Sequence, residues 1–596
     1  MMPDTISPLD ELRLPQAGEK KNWTNLYGTA RWLALSKAIA QSSRPFVVFT
    51  SDIASALKIE QELRFFDPSI VIHHFPDWET LPYDRFSPYQ DIISERLTTL
   101  SLIPEFRKEI LIVSVQTAMH RVVPSEWVAS HSFSLVKGEV LDREKFRKKL
   151  VDNGYRSSPQ VSESGEYAIR GSLIDVFPVG SDNPIRIDFF DNEIETLRMF
   201  DVETQRSTQE VKEIRVLPGK EFLLDQSGVS RFRRQWRTEF GQFHDVDLYR
   251  DVSEGLPPPG IEYYLPLFHD RMELLADYFS EDTICVFDEN IEKTADQFWT
   301  SVEERHEALK DDTNRPVLEP SQVFCKFEGL LTATEKFGLI FLTGLNTGLA
   351  ESSIFGTRTP LSRSIDARAK DPFALVKNHV DHSDGRTLFL AESLGRREAI
   401  LDLLHGQKIT LKVFDSWAQF VRSSDRFGIA VAAIEDGAEI DRPRISLITE
   451  SQLFGKRLEQ RQRKKRRNSH ENIIKNLTEL RLDAPVVHEH HGIGRYQGLE
   501  VLNIGDIERE FIQLEYRDGD KLYVPVASLE LISRYSGSDP DTAPLHKLGT
   551  EQWSKARRKA SEKIRDIAAE LLELHAKRAL RKGHSFEFEK DAYNSF

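Results

Sequence analysis

Cysteine is almost absent from the sequence, which has only Cys285 and Cys325 among its 596 residues. Two cysteines are too few for a disulfide framework or a zinc site built from thiolates, and this favours a reducing compartment. The first residues are acidic and polar and do not resemble a secretory signal. No run of the sequence approaches the roughly 20 apolar residues that cross a bilayer. We therefore expect a soluble, cytoplasmic protein without membrane contact.

Basic residues are not in excess. The 80 Lys and Arg residues are outnumbered by 95 Asp and Glu residues, which gives a net charge of −15. Phosphate contacts dominate DNA affinity, so dedicated nucleic-acid-binding proteins are usually basic. The charge balance therefore favours protein partners, with any DNA contact confined to a local site. The basic run at residues 461–467 (RQRKKRR) is either a solvated linker, the simpler interpretation, or such a site.

A phosphate-binding loop of the form Gly-x-x-x-x-Gly-Lys-[Ser/Thr] is also missing. Its glycines let backbone amides surround the phosphates, its lysine neutralises them, and its hydroxyl binds magnesium. Where a helicase-like strand would turn into its first helix, the sequence has Gly28, Thr29 and Arg31 without the Lys-Ser/Thr pair. A buried-strand pattern ending in Asp288 and Glu289 nevertheless resembles a Walker B strand. These residues predict a degenerate nucleotide site, with no catalytic residue and no cofactor in this chain. The alternative is a working ATP-dependent DNA helicase.

The order of strand and helix patterns predicts an α/β protein of about four domains. Alternating strands and helices indicate a parallel sheet, whereas short alternating strands indicate an inserted α+β domain. The sequence predicts a helix at 53–66, strands at 70–72, 387–391 and 445–448, and a hairpin around residues 191–192. The predicted parts are a discontinuous helicase-like domain at 20–131 and 219–345, the inserted domain at 132–218, a second α/β domain of unassigned role at 355–455, a basic linker at 456–475, a small β-barrel at 476–548, a long connector helix at 549–582, and a polar segment at 583–596 that begins a further motor region.

The strand predicted at residues 185–190 carries the first candidate surface. Alternation places Arg186, Asp188 and Phe190 on the face opposite the apolar residues. An aromatic residue and an arginine on a solvent face are typical of a binding hot spot. The alternative is that Phe190 packs at the end of the hairpin and that Arg186 forms a local ion pair.

The second candidate surface lies in the small barrel. Residues 511–516 and 521–524 flank an Asp-Gly turn and predict a hairpin in a five-stranded barrel similar to SH3 or Tudor domains. Upstream, Leu502 and Ile504 share a face with a charged residue, which indicates an exposed apolar position on an edge strand. Such an edge can extend the sheet of a partner. The alternative is that these residues fill a small core.

Three histidines, His488, His490 and His491, precede a glycine-rich turn. Imidazole is a common zinc ligand, but neighbouring residues of a strand point to opposite faces, and neither a cysteine nor a second cluster lies nearby in the sequence. We therefore expect no metal site here and assign the histidines to shaping the turn at Gly492 and Gly494.

Several longer strings resemble bacterial transcription-repair coupling factors, in the order that this family has them, from about residue 15 to the end of the chain. The strings are DWETLPYD at 77–84, SPYQDIIS at 87–94, GEYAIRG at 165–171, RIDFFD at 186–191, GIEYY at 260–264, VHEHHGIGRY at 487–496 and KLYVPV at 521–526.

This resemblance implies a role in transcription-coupled nucleotide excision repair. The first domains would resemble UvrB without its ATPase and without its DNA-gripping hairpin. Arg170, Arg186 and Phe190 would bind UvrA, and the barrel would dock on the β subunit of RNA polymerase through Leu502 and Ile504. Two motor lobes, which bind ATP and magnesium and act on double-stranded DNA upstream of the stalled polymerase, would follow beyond this chain. A transcription regulator that uses only the barrel is less favoured, because it would not need a UvrA surface.

Overall fold

The computed structural model forms two compact units, residues 1–457 and residues 458–596. The predicted basic linker, connector helix and final polar segment lie outside the described residues. No helix within the described part combines the length and apolar character needed to cross a bilayer. The described residues are 5–202, 204–241, 246–344, 352–360, 365, 371–454, 484–488, 491–504, 507–525, 532–534, 545 and 547.

Strands and helices alternate in the first part of the chain, as the sequence predicts. The predicted helix at 53–66 is confirmed: it begins after Asp52, whose carboxylate accepts the N–H of Ser55, a standard N-cap. The elements are β1 (Lys20–Thr24), α1 (Ala30–Gln41), β2 (Phe46–Thr50), α2 (Ile53–Phe66), β3 (Ile72–His74), α3 (Gln90–Leu102), β4 (Ile110–Ser114), α4 (Val115–Ala118), β5 (Arg121–Val122) and α5 (Ser125–Ser130).

The strand predicted at residues 70–72 is shifted, because β3 begins only at Ile72. The carboxylate of Asp67 accepts the N–H of Ser69, and its carbonyl accepts the N–H of Ile70. These bonds form a turn that keeps Ile70 out of the strand.

The next part of the chain is rich in antiparallel strands. The predicted hairpin is confirmed, since β10 and β11 pair on either side of the turn at Asp191 and Asn192. The main sheet has the order β12-β11-β10-β9-β8-β7, and β13 pairs with β6. The elements are β6 (Phe133–Val136), α6 (Arg143–Asp152), β7 (Arg156–Ser157), β8 (Glu166–Arg170), β9 (Leu173–Val176), β10 (Ile185–Phe190), β11 (Glu193–Phe200), β12 (Ser207–Val211) and β13 (Glu213–Val216). We call residues 133–216 the inserted domain.

After the inserted domain the chain returns to the first sheet. That sheet has seven strands in the order β17-β1-β16-β15-β2-β4-β3, and all its described pairings are parallel. The new elements are α7 (Gln226–Phe240), α8 (Asp247–Ser253), β14 (Glu273–Leu274), β15 (Ile284–Phe287), α9 (Ile291–Leu309), α10 (Pro320–Val323), α11 (Phe327–Thr334), β16 (Gly338–Leu342) and β17 (Ser352–Ile354).

Residues 357–454 form a third sheet, which we call the third domain. Its strand order is β18-β22-β23-β19-β21-β20, and its predicted strands at 387–391 and 445–448 are confirmed. The elements are β18 (Thr357–Arg358), α12 (Ala374–His382), β19 (Arg386–Ala391), α13 (Leu394–His405), β20 (Lys412–Val413), α14 (Trp417–Arg422), β21 (Phe427–Val431), β22 (Ala438–Ile440), β23 (Ile445–Thr449) and α15 (Glu450–Phe454).

Strand β2 shows how the two faces of the parallel sheet are covered. All of its residues are buried, as is usual for a strand with packed layers on both sides. Val47 and Phe49 belong to an apolar core that continues into the inserted domain. Phe46 and Val48 belong to a second core that also contains Leu388 of the third domain. The parallel sheet therefore holds a different domain on each face.

The second unit contains an antiparallel sheet of five strands in the order β27-β26-β25-β24-β28. The predicted hairpin of β26 and β27 is confirmed, and its turn contains Gly519 at a φ of +81°, where glycine avoids strain. The strands are β24 (Pro485–His488), β25 (Gly492–Ile504), β26 (Ile507–Glu515), β27 (Lys521–Pro525) and β28 (Ile532–Arg534).

Candidate functional site

Strand β10 displays one aromatic side chain to solvent. Ile185, Ile187 and Phe189 are buried, whereas Phe190 is 73% exposed. This agrees with the alternation expected from the sequence and not with the alternative in which Phe190 packs at the hairpin end. An exposed phenylalanine on an ordered strand loses little conformational entropy when a partner covers it, which makes it a suitable binding anchor.

Arg186 lies on the same face but is held within the domain. Its Nε and Nη2 atoms donate to Asp175 Oδ1 and Oδ2 at 2.8 and 2.9 Å, and Nη1 donates to the carbonyl of Gln205. The guanidinium also lies 4.8 Å from the centre of the Phe200 ring. The hydrogen bonds that Arg186 donates to Asp175, which is itself buried, raise the pKa of Arg186. The local pairing that the sequence left open is therefore present, and only 19% of the Arg186 side chain is exposed.

Arg170 completes the predicted set of three. It pairs across the sheet with Leu173, which pairs with Asp188, so Arg170 lies on the face of Arg186 and about 10 Å from Asp188. The Arg170 side chain is exposed, and its Nη2 atom donates to the carbonyl of Pro159 at 3.0 Å. The structure thus brings the three predicted residues to one face of the inserted sheet.

Further exposed side chains that the sequence did not indicate lie at the same end of this sheet. Val140 is 76% exposed and forms a β-bridge with Glu193, directly after the β10–β11 turn. Arg143 Nη1 donates to the carbonyl of Gly171 at 3.4 Å, next to Arg170. Exposed apolar groups gathered around an aromatic residue and arginines mark an interaction surface. We call Val140, Arg143, Arg170, Arg186 and Phe190 the hairpin-end surface.

The predicted degenerate nucleotide residues also lie together. Gly28 and Thr29 precede α1, and Asp288 and Glu289 follow β15. Arg31 joins the two groups, because its Nη1 atom lies 3.0 Å from Asp288 Oδ1 and its Nη2 atom 3.3 Å from Glu289 Oε2. Burial raises the pKa of Asp288, although the guanidinium acts in the opposite direction. The acidic pair that would face magnesium in a phosphate-binding site is here bridged by the Arg31 guanidinium.

A carboxyl group that sequence reasoning missed lies beside this cluster. Burial raises the pKa of Glu62 to about 8, and the carboxylates of Asp436 and Asp288 add to the rise while Arg31 opposes it. Glu62 Oε2 and Thr29 Oγ1 are both buried, and the Thr29 hydroxyl also opposes the rise in the pKa of Glu62. No local pattern marks Glu62, because its burial depends on packing between distant segments.

Replacing Glu62 with glutamine is expected to stabilise the protein increasingly as the pH rises. The folded protein holds a proton on Glu62 that the unfolded chain releases, so the wild type loses stability from about pH 4.5 to about pH 8 and shows no further loss from this group above pH 8. The Glu62→Gln variant lacks this loss. Thermal melts between pH 5 and pH 9 should therefore show a difference in Tm that widens up to about pH 8 and then stays constant.

Glu60 provides a control on the same helix. Burial raises its pKa, but the hydrogen bonds from Arg64 and His74 outweigh this, so the pKa is lowered overall. Glu60→Gln should therefore destabilise the protein at neutral pH. A Glu62→Gln variant that behaves like Glu60→Gln would show that Glu62 is charged in the folded protein.

The second predicted surface lies on β25 of the second unit. Leu502 pairs with Arg509, and Ile504 pairs with Ile507, but the side chains of Leu502 and Ile504 lie outside the described part. In the strand order β25 is flanked by β24 and β26, yet β24 pairs only with residues 492–495. Within the described strands, the half of β25 that contains Leu502 therefore has one partner, β26.

The rings of His488 and His491 lie 4.8 Å apart, and His490 lies outside the described residues. The described part of the chain contains no group of three potential ligands that could hold a metal ion.

Three family models match parts of the chain. They describe a UvrB interaction domain at residues 133–222, an MFD D3 domain at 379–453 and a CarD-like/TRCF RID domain at 480–536. The first covers the domain that carries Phe190, and the last covers the five-stranded sheet.

Known proteins resemble the chain over nearly its whole length. It is 38% identical to a transcription-repair-coupling factor of Haemophilus influenzae over 98% of the chain and 51% of that protein. The Escherichia coli protein of the same name is 39% identical over the same shares. A Staphylococcus aureus relative is 26% identical over 94% of the chain and 49% of its own length. The chain thus spans about half the length of these relatives.

Proposed function

We propose that this chain, which is similar to transcription-repair-coupling factors, is an adaptor that connects RNA polymerase to UvrA in transcription-coupled nucleotide excision repair. The proposal that the chain binds UvrA rests on the hairpin-end surface. The domain that matches a UvrB interaction domain carries the exposed Phe190 together with Arg170 and Arg186 on one face of its sheet. Such a surface suits a protein partner better than a nucleotide or a metal ion.

The recruitment of UvrA would use two kinds of residue. Phe190 and Arg170 are free to contact a partner, whereas Arg186 is fixed by Asp175 and offers only its outer edge. We infer that Phe190 provides most of the apolar contact. Arg186 would contribute mainly by stiffening the strand that presents Phe190, because a buried carboxylate fixes its guanidinium from below.

RNA polymerase would bind the second unit. The match to a CarD-like/TRCF RID domain covers its five strands, and the Leu502 half of β25 has a side on which no described strand pairs. A strand with a free side can add to the sheet of a partner through main-chain hydrogen bonds. We propose that the partner is the β subunit, with Leu502 and Ile504 at the contact.

ATP and magnesium would be used outside this chain. The part of the relatives that the chain does not span would contain the motor lobes, which would also make the main contacts to double-stranded DNA. In this chain Arg31 is paired with both acidic residues, and no Lys-Ser/Thr pair follows Gly28. ATP hydrolysis by this chain, the alternative that the sequence left open, is supported by neither feature.

Capture of the β subunit by the chain, compared with its Leu502→Arg variant, tests the polymerase part. The variant should reduce capture by at least about 30-fold, since a charge in a central apolar contact costs roughly 2 kcal/mol or more. Arg517→Glu is the matched control, because Arg517 is exposed at the β26–β27 turn. This turn lies about 20 Å along β26 from Arg509, the residue that pairs with Leu502. Equal capture by both variants would refute the assignment of Leu502.

A further inference from the structure

The start of α1 makes a direct contact with the third domain. The N–H of Thr29 donates to the carbonyl of Asp436 at 3.0 Å. Asp436 belongs to residues 435–437, which precede β22 and which we call the 435–437 loop. In a working phosphate-binding loop, amides at the start of this helix donate to phosphate oxygens, which the positive end of the helix dipole also attracts. Here a peptide carbonyl takes the position of such an acceptor.

Two glycines let the backbones meet at this point. A Cβ atom on Gly28 would lie 2.1 Å from the carbonyl oxygen of Gly437 and 2.9 Å from that of Asp436. Gly28 also has a φ of +51°. A side chain at residue 28 would therefore be excluded both by the 435–437 loop and by the backbone conformation.

The 435–437 loop is held by contacts from its own domain and from helix α2. The carbonyl of Glu435 accepts hydrogen bonds from Thr449 Oγ1 at 2.9 Å and from Ser451 Oγ at 2.6 Å. Its carboxylate forms an ion pair with Lys58 of α2 at 3.0 Å. A Cβ atom on Gly437 would lie 2.1 Å from the carbonyl of Leu447. The loop is therefore held between the third domain and the start of α1.

The apolar contacts and the charges nearby agree with this arrangement. Leu26, Ala30 and Leu33 around the turn share one core with Ile434 and Ala438, which flank the loop. Arg31 is paired with both Asp288 and Glu289, so its guanidinium is already occupied and does not face a triphosphate. Ile434, Gly437 and Ala438 are buried, whereas Glu435 and Asp436 are exposed, so the contact lies at the edge of this core.

We propose that the remnant nucleotide site has become a binding site for a peptide of the same chain, namely the 435–437 loop, and that this contact joins the third domain to the parallel-sheet domain as one body. The ligand of the site is the backbone carbonyl of Asp436 in place of phosphate, with the carbonyl of Gly437 packed against Gly28. The third domain thereby acquires a role as the cover of the former nucleotide site, and the inference does not depend on which partners bind elsewhere.

Hydrogen exchange of the Gly28→Ala variant tests this proposal. The added methyl group should push the loop away, and amide exchange in residues 434–438 should accelerate by about tenfold or more. Gly18→Ala is the matched control, because Gly18 has a φ of +75° but no atom within 4 Å of the added Cβ. It therefore reproduces the backbone strain of the substitution without the steric clash.

Acceleration in residues 434–438 with Gly28→Ala and not with Gly18→Ala would support the proposal. Equal exchange in the two variants would overturn it, because the loop would then be held without the contact at Gly28.

If Gly28→Ala does not fold, Thr29→Pro provides a second test. It removes the amide donor together with the Thr29 hydroxyl, at a residue whose φ is −64°, close to the value that proline requires. Thr29→Ala keeps the donor and serves as its control. Unchanged exchange in residues 434–438 for Thr29→Pro relative to Thr29→Ala would also contradict the proposal.

Discussion

Replacing Glu221 with glutamine is expected to lower the free energy of unfolding by about 3–5 kcal/mol. Glu221 and Arg96 form an ion pair at 3.1 Å, and 1% and 0% of their side chains are exposed. Glu221 Oε2 also accepts the indole N–H of Trp78 at 3.1 Å. The substitution leaves the Arg96 charge buried without a counter-charge, which is the main source of the loss.

The surroundings of Arg96 cannot compensate for this loss. Its Nη1 atom donates to the carbonyl of Pro76, and its guanidinium lies 4.4 Å from the ring centre of Phe75, but its Nη2 atom is buried without a described partner. These contacts are weaker than a carboxylate. Glu221 lies just after the inserted domain and Arg96 lies on α3, so the pair also fixes the chain where it leaves that domain.

Urea denaturation of Glu221→Gln, followed by the fluorescence of the tryptophans, measures this effect. Glu163→Gln is the control, because Glu163 pairs with Arg156 at 3.4 Å with both side chains exposed, and such pairs contribute less than about 1 kcal/mol. Losses of similar size in the two variants would show that the buried ion pair contributes no more to the free energy of unfolding than the exposed one.

Replacing Phe190 with alanine is expected to weaken UvrA binding by about 30- to 1,000-fold, or roughly 2–4 kcal/mol. Stability should hardly change, because Phe190 is exposed and removing its ring leaves no cavity. Titration of UvrA with the chain measures the affinity, and thermal melting measures the stability. Leu394→Ala is the control, since Leu394 is an exposed apolar residue of the third domain.

Unchanged UvrA affinity in a folded Phe190→Ala variant would refute the role of the hairpin-end surface. Arg186→Ala is a poorer test, because it leaves the buried carboxylate of Asp175 without its partner. Such a variant would lose stability as well as affinity, so that the two effects could not be separated.

Features that depend on a local sequence pattern could be predicted, whereas features that depend on contacts between distant segments could not. Strand alternation, a local property with a period of two, places Phe190 opposite the apolar residues, but only the family resemblance favoured an exposed ring over one packed at the hairpin end. The proximity of Arg31 to Asp288 spans 257 residues and was expected only through the resemblance of both segments to a helicase fold. The hairpin β26–β27 was predicted from its Asp-Gly turn and the two short apolar strands.

Other features could not be predicted, because they depend on how distant segments pack. Val140 joins the hairpin-end surface only through its bridge to Glu193, and no local pattern encodes that pairing. In the sequence Glu62 looks like an ordinary helix-surface residue. It becomes buried in the fold because distant residues, Asp436 among them, pack around it. The local pairing of Arg186 depends on Asp175 in the neighbouring strand, so the sequence left both alternatives open.

A bridging capture experiment tests whether the chain connects the RNA polymerase β subunit to UvrA. RNA polymerase β subunit is immobilised, the chain is added, and the retention of UvrA is measured with and without the chain. The account predicts that UvrA is retained only when the chain is present and that the Phe190→Ala chain binds the β subunit but no longer retains UvrA. A wild-type chain that binds the β subunit and retains no UvrA would contradict it.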